Sequence, residues 1–209
     1  MPPPNLAAIQ ANPALFLTWL QTNLLMSGLV TNVPNPPGTA WVTIAPPPAF
    51  PVTTAVDSAG VAMGVYSLRC NGAGAHDSLF SYVCNYQAGQ VRSVPLAAAG
   101  DFCFTITLNG CTFGIGPAAV GGGRLVSHAN TGGSTLPQRT QTWGEHHVAV
   151  NSQAVTMLEP ALYRRMGGNL QATVFGLRIG GAWQFHFQLY DRPPGGAPVI
   201  VHGVFPILA

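Results

Sequence analysis

The sequence contains no lysine. Its basic residues are eight arginines against six acidic residues, and only 7% of the chain is charged, where roughly 25% is usual in soluble proteins. The net charge is close to zero or slightly positive, and the arginines are scattered. No basic stripe exists to meet a phosphate backbone, so no nucleic-acid partner is expected. Long hydrophobic runs are also missing. The stretch 14–26 is interrupted by Thr18, Gln21, Thr22 and Asn23, which makes it too short and too polar to span a bilayer. The opening residues Met1-Pro2-Pro3-Pro4-Asn5 carry no basic residue, so no classical secretion signal is expected. Cys70, Cys84, Cys103 and Cys111 have no CxxC spacing, which disfavours a zinc knuckle or thioredoxin-type site. Four cysteines are also sparse for a disulfide scaffold. Reduced thiols are the plain reading, with one or two disulfides as the alternative. The missing lysine has a bland reading, arginine codons preferred in a GC-rich genome. The sharper one is a protein that works in another organism's cytosol and offers no amine for ubiquitin attachment.

What is present is apolar and rich in turns. Hydrophobic residues make up 47% of 209 residues, with 25 Gly and 19 Pro. Hydrophobicity at that level argues against disorder, and the length suits one domain, 1–209. Asn12-Pro13 suits a helix start, predicting a helix to about Met26 that stops near Gly28, preceded by a short turn over 6–11. Residues 33–52 are proline-rich with one short strand over 40–44, so residues 1–52 are expected to pack as a helix and an irregular segment on the core. From Gly60 onward, β-favouring runs alternate with Gly, Asn and Asp clusters. Strands are expected over 61–69, 78–86, 90–96, 102–108, 112–115, 124–128, 171–179, 182–190 and 198–205. A helix is expected near 159–166, ended by Gly167, and a hairpin turn at Gly180-Gly181. The expected fold is α+β: a mostly antiparallel β-sandwich core with flanking helices.

One stretch carries chemistry. A strand runs into the turn Asn109-Gly110, Cys111 follows, and a second strand, 124–128, ends at His128. A cysteine at a strand–turn junction can present its sulfur beside converging backbone N–H groups, as attack on a carbonyl requires. A nearby imidazole favours the thiolate. The bland reading of the same residues is a buried thiol and a satisfied core histidine.

The run Thr105-Ile106-Thr107-Leu108-Asn109-Gly110-Cys111, read as T-x-x-L-x-G-C, is followed by Gly122-Gly123 and His128 in a G-G-x-x-x-x-H pattern. This resembles the Cys–His glutamine deamidase superfamily, which takes in the CheD-type chemotaxis receptor deamidases, the cytotoxic necrotizing factor toxins and the Burkholderia lethal factor. The Cys-to-His spacing matches the CheD type, and Phe102 to Cys111 is similar to the lethal-factor segment, whose own Cys-to-His gap is shorter. The likeness covers about 25 residues, Phe104 to His128. The resemblance implies a β-sandwich with flanking helices, Cys111 as nucleophile, His128 as general base and acid, and Thr105 as a hydroxyl supporting the site. Asn109 and Gly110 would form the turn around the oxyanion. It also implies a protein substrate bearing a target glutamine, such as a host factor, and no metal or organic cofactor. CheD-type proteins follow their His with M-L-P, whereas His128 is followed by Ala129-Asn130-Thr131, which favours a toxin- or effector-like enzyme, secreted or translocated into a target cell. A monomer is expected.

Other residues carry less. Glu145-His146-His147 invites a metal site, but on a strand adjacent histidines point to opposite faces. His186 is expected to be structural, Trp143 and Tyr163 to pack in the core or at its rim, and Cys70, Cys84 and Cys103 to be buried thiols. Gly121-Gly122-Gly123 lacks the Gly-Lys-Ser/Thr of a phosphate loop and reads as a flexible loop beside the site. Two rivals stand beside the deamidase: a cysteine protease or transglutaminase using the same dyad, and a non-enzymatic β-sandwich binding module.

Overall fold

The computed structural model of the chain describes residues 3–27, 33–47, 54–71, 77–130, 137–152, 154–164 and 169–209. Two short helices, α1 (Leu6–Ala11) and α2 (Ala14–Leu20), open it. Strands β1 (Asn23–Met26), β2 (Gly38–Ala45), β3 (Ala55–Asp57), β4 (Ala62–Asn71), β5 (Leu79–Cys84), β6 (Gln90–Leu96), β7 (Phe102–Thr105), β8 (Thr112–Ile115) and β9 (Arg124–Asn130) follow. Then come α3 (Gln138–Val150), β10 (Thr156–Leu158), α4 (Pro160–Tyr163), β11 (Leu170–Ile179), β12 (Ala182–Asp191) and β13 (Val199–Ile207).

The α+β sandwich expectation is overturned. The described residues are 47% strand and 17% helix, and eight strands close into a barrel. Their order is β4-β2-β5-β7-β11-β12-β13-β3, and β3 closes the ring by pairing with β4. Three pairings are parallel, β1–β4, β5–β7 and β13–β3, so the sheet is mixed. The last joins residue 55 to residue 199, a contact between chain ends that no local pattern encodes. Closure removes exposed sheet edges. A second, four-stranded sheet, β10-β8-β9-β6, packs outside.

The N-terminal segment fills the barrel instead of flanking it. Leu6, Ile9, Phe16, Leu20 and Leu25 share one core with Val42, Ile44, Leu68, Val83, Phe102, Phe104, Phe175 and Leu177 from the barrel wall. Phe16 meets Phe102, Phe104 and Phe175 edge-on at 5.3–6.5 Å. The helix predicted to reach Met26 ends at Leu20, and β1 replaces its last turn. Tertiary contacts take over there. The buried Gln188 amide donates to the carbonyls of Leu20 and Asn23 and accepts from the Leu25 N–H, and the Asn23 amide donates to the Trp19 carbonyl. These bonds satisfy an extended backbone as well as a helix would. The predicted stops at Gly28 and Gly167 lie outside the described residues.

A second core fills the seam between barrel and outer sheet. Tyr82, Cys84 and Cys103 from the barrel's outer face pack with Val94, Phe113, Ile115 and Val126. Helix α3, unforeseen in the sequence, covers the other face of the outer sheet. Gly114 permits its approach, since a Cβ there would sit 2.5 Å from the Thr142 methyl and 2.7 Å from Ser127 Oγ.

Candidate active site

Thr105 and His128 meet at this seam, and Cys111 borders the same core. Thr105 ends β7 with its side chain on the outer face, beside Cys84 in the parallel β5–β7 register. Its hydroxyl has one hydrogen. That hydrogen is given to the Cys84 carbonyl at 2.8 Å, so the oxygen must accept in its 2.7 Å contact with His128 Nδ1. The proton of His128 therefore sits on Nδ1, and the lone pair sits on Nε2. Nε2 is buried and has no hydrogen-bond partner among the described residues. The ring lies under Tyr86, with centroids 5.5 Å apart and planes tilted by 34°. Tyr86 is 43% exposed and His128 not at all. Burial pushes the imidazole pKa down to about 3, so the ring is neutral at physiological pH.

Cys111 immediately precedes β8. The β8–β9 ladder pairs Phe113 with His128 and Thr112 with Ala129. Extended by one residue, it puts Cys111 opposite Asn130, on the same face as Phe113 and His128. Cys111 and His128 are then diagonal neighbours, a separation of about 7 Å in a regular ladder. No hydrogen bond joins the sulfur to the ring. The exposed, pre-activated thiolate expected at the strand–turn junction is not what the structure holds. Cys111 is 7% exposed, and burial raises its pKa, opposed by the Asn109 backbone N–H and the Arg164 guanidinium. The resting pair is a neutral thiol and a neutral imidazole.

The turn before Cys111 is held from two helices. Tyr163 of α4 accepts from the Gly110 N–H at 2.8 Å and donates to the Cys111 carbonyl at 3.0 Å. Gln138, at the start of α3, donates to the Gly110 carbonyl, and Arg164 donates to Asn109 Oδ1. Gly110 has φ +92°, a conformation glycine adopts freely, and the guanidinium lies 3.3 Å from where a Cβ would be. The Gly110 N–H is thus already engaged and is not free for the oxyanion role expected of this turn.

Tyr163, Gln138, Arg164, Cys84 and Tyr86 were not legible as site residues. They come from α3, α4 and its C-cap, the end of β5 and the loop after it, and only the tertiary fold brings them together. All four cysteines are free and buried; Cys84 and Cys103 lie in the seam, and Cys70 lies inside the barrel. The Glu145-His146-His147 run is helical, not a strand. His146 turns inward to Ser127 Oγ at 2.9 Å, Glu145 bonds Ser93, and His147 is exposed. Among the described residues no cluster of His, Cys, Asp or Glu could hold a metal ion, and no helix is long and apolar enough to cross a membrane. His186 stacks on Phe175 inside the barrel. It also borders a cavity of about 450 Å³ beside α2 at Leu17, Leu20 and Gln21, which is not lined by Thr105, Cys111 or His128.

The chain matches no protein-family model and no curated protein.

Proposed function

We propose that the chain is a Cys–His protein glutamine deamidase, with Cys111 as nucleophile and His128 as base and acid. The observation that carries this reading is the Cys84–Thr105–His128 relay, which leaves the Nε2 lone pair free on the face that Cys111 shares. A base oriented through its other nitrogen, beside a nucleophile, is the arrangement acyl transfer needs. As a target carboxamide enters, His128 Nε2 takes the Cys111 proton and the sulfur attacks the carbonyl carbon. The Cys111 N–H meets the developing oxyanion. His128 then gives its proton to the departing ammonia, leaving a thioester, and activates a water to hydrolyse it to glutamate. Entry requires Tyr86 to move aside from His128. The target is a protein glutamine in a host or competitor cell, and the absence of lysine supports work in a ubiquitin-containing cytosol.

The test is incubation with cell lysate in heavy-oxygen water, reading labelled glutamate at former glutamines by mass spectrometry. Label is expected with the native protein and lost with Cys111→Ser and His128→Ala. Equal labelling by native and variant proteins sinks the proposal. Incorporation of an added primary amine would point to a transglutaminase, and new peptide ends to a protease.

A further inference from the structure

We propose that Arg164 selects the substrate: it binds a carboxylate on the target chain, so that glutamines with Asp or Glu within about two residues are preferred. This rests on the deamidase reading above and adds the chemical class of the segment bound.

Three observations carry it. The guanidinium is fixed at the lip of the nucleophile's turn. Its atoms lie 3.3–3.6 Å from the Cβ position of Gly110, and it donates to Asn109 Oδ1. The side chain is nevertheless exposed. It also lacks a carboxylate partner among the described residues, which include all six acidic residues of the chain. The two ion pairs are Arg139–Glu159 and Arg178–Asp101. Glu145 is bonded to Ser93, Asp57 caps its own turn at the Ala59 and Val61 N–H groups, and Asp191 accepts from the Asn169 N–H. A guanidinium has five donors in a planar fork that fits a carboxylate. Here one neutral amide oxygen takes part of that capacity, and among the described residues no carboxylate takes the rest. An extended peptide advances about 3.3 Å per residue. A residue one or two places from a glutamine engaged by Cys111 is therefore within reach of that fork.

The competing role for Arg164 is to favour the Cys111 thiolate, and the two roles separate experimentally. Peptides with a central glutamine and randomised flanks are incubated in heavy-oxygen water with the native protein, R164Q, R164E and C111S. The native protein is expected to label acidic-flanked peptides about fivefold faster than their amide-flanked counterparts, the scale of one exposed charge pair. R164Q should abolish that preference through KM, and R164E should shift it to basic flanks. An unchanged acidic preference in R164Q overturns the inference while the deamidase reading stands. A shifted pH profile for Cys111 alkylation in R164Q, with no change in flank preference, overturns it too. Labelling by the native protein no greater than by C111S refutes the deamidase reading itself, and this inference with it.

Discussion

Replacing Thr105 by Val tests the relay with almost no change of shape. Thr105 is 1% exposed, so the lost hydroxyl is not replaced by water. Two hydrogen bonds disappear, to the Cys84 carbonyl and from His128 Nδ1–H. Each contributes about 1 kcal/mol net, and each leaves a buried polar group unsatisfied at about 1–3 kcal/mol. A loss of about 2–4 kcal/mol is expected. At about 2–4 °C per kcal/mol for a domain of this size, the melting temperature should fall by about 5–15 °C. The catalytic effect has a separate cause. Without an acceptor at Nδ1, the imidazole no longer prefers the tautomer that frees Nε2, and turnover should fall about 100-fold or more. Thr105→Ser keeps the hydroxyl and should recover most of both losses. Thermal melts, ammonia release and imidazole nitrogen NMR of His128 give the three readouts. If Thr105→Val melts within about 2 °C of the native protein and keeps the proton on Nδ1, the hydroxyl does not hold the ring and the relay argument fails.

Acid should unfold the protein early. His128 and His146 are fully buried with pKa values pushed down to about 3 and about 4. The unfolded chain therefore takes up protons below about pH 6.5 that the folded chain refuses, and stability falls from there toward pH 4. At pH 5 the loss is about 2 kcal/mol for each histidine; urea midpoints that stay flat from pH 7.5 to 4.5 would contradict this. Gly114→Ala should cost about 2–3 kcal/mol, because its Cβ lands on Thr142 and Ser127, and a denaturant midpoint within error of native would show that α3 can yield. Alkylation of Cys111 by iodoacetamide should be slow at pH 7 and rise only in the alkaline range, since burial raises the thiol. Rapid reaction below neutral pH would overturn the neutral-pair description.

What the sequence made legible was local. Alternating runs marked β4, β11 and β12, and Gly180-Gly181 marked the hairpin joining the last two. The resemblance of the run from Thr105 to His128 brought the candidate site forward. Barrel closure was hidden because it depends on pairings between distant segments, such as β3 with β13. The end of α2 was hidden because Gln188, more than 160 residues away, takes its carbonyls. Helix α3 was missed for a chemical reason. Its buried face is carried by Thr142 and His146, polar residues four apart, so no apolar stripe announces it. Burial of Cys111 escaped notice because the turn that suggested exposure is covered by α4 through Tyr163.

The neutrality of the resting pair bears on how such a site could be both reactive and selective. Desolvation acts on both groups in the same sense, raising the thiol and lowering the imidazole, so a thiolate–imidazolium pair is disfavoured while the seam is empty. The proposed attack on a carboxamide would change the balance. Negative charge passes from sulfur to the carbonyl oxygen, where a backbone N–H can meet it, and the proton held by His128 leaves with ammonia. Charge separation is then confined to the steps in which substrate is present to absorb it. A buried thiol with a raised pKa also resists adventitious alkylation and oxidation. In the proposed deamidation, reactivity would depend on a partner able to displace Tyr86 and deliver a glutamine to the seam, so selection of the target would precede activation of the nucleophile.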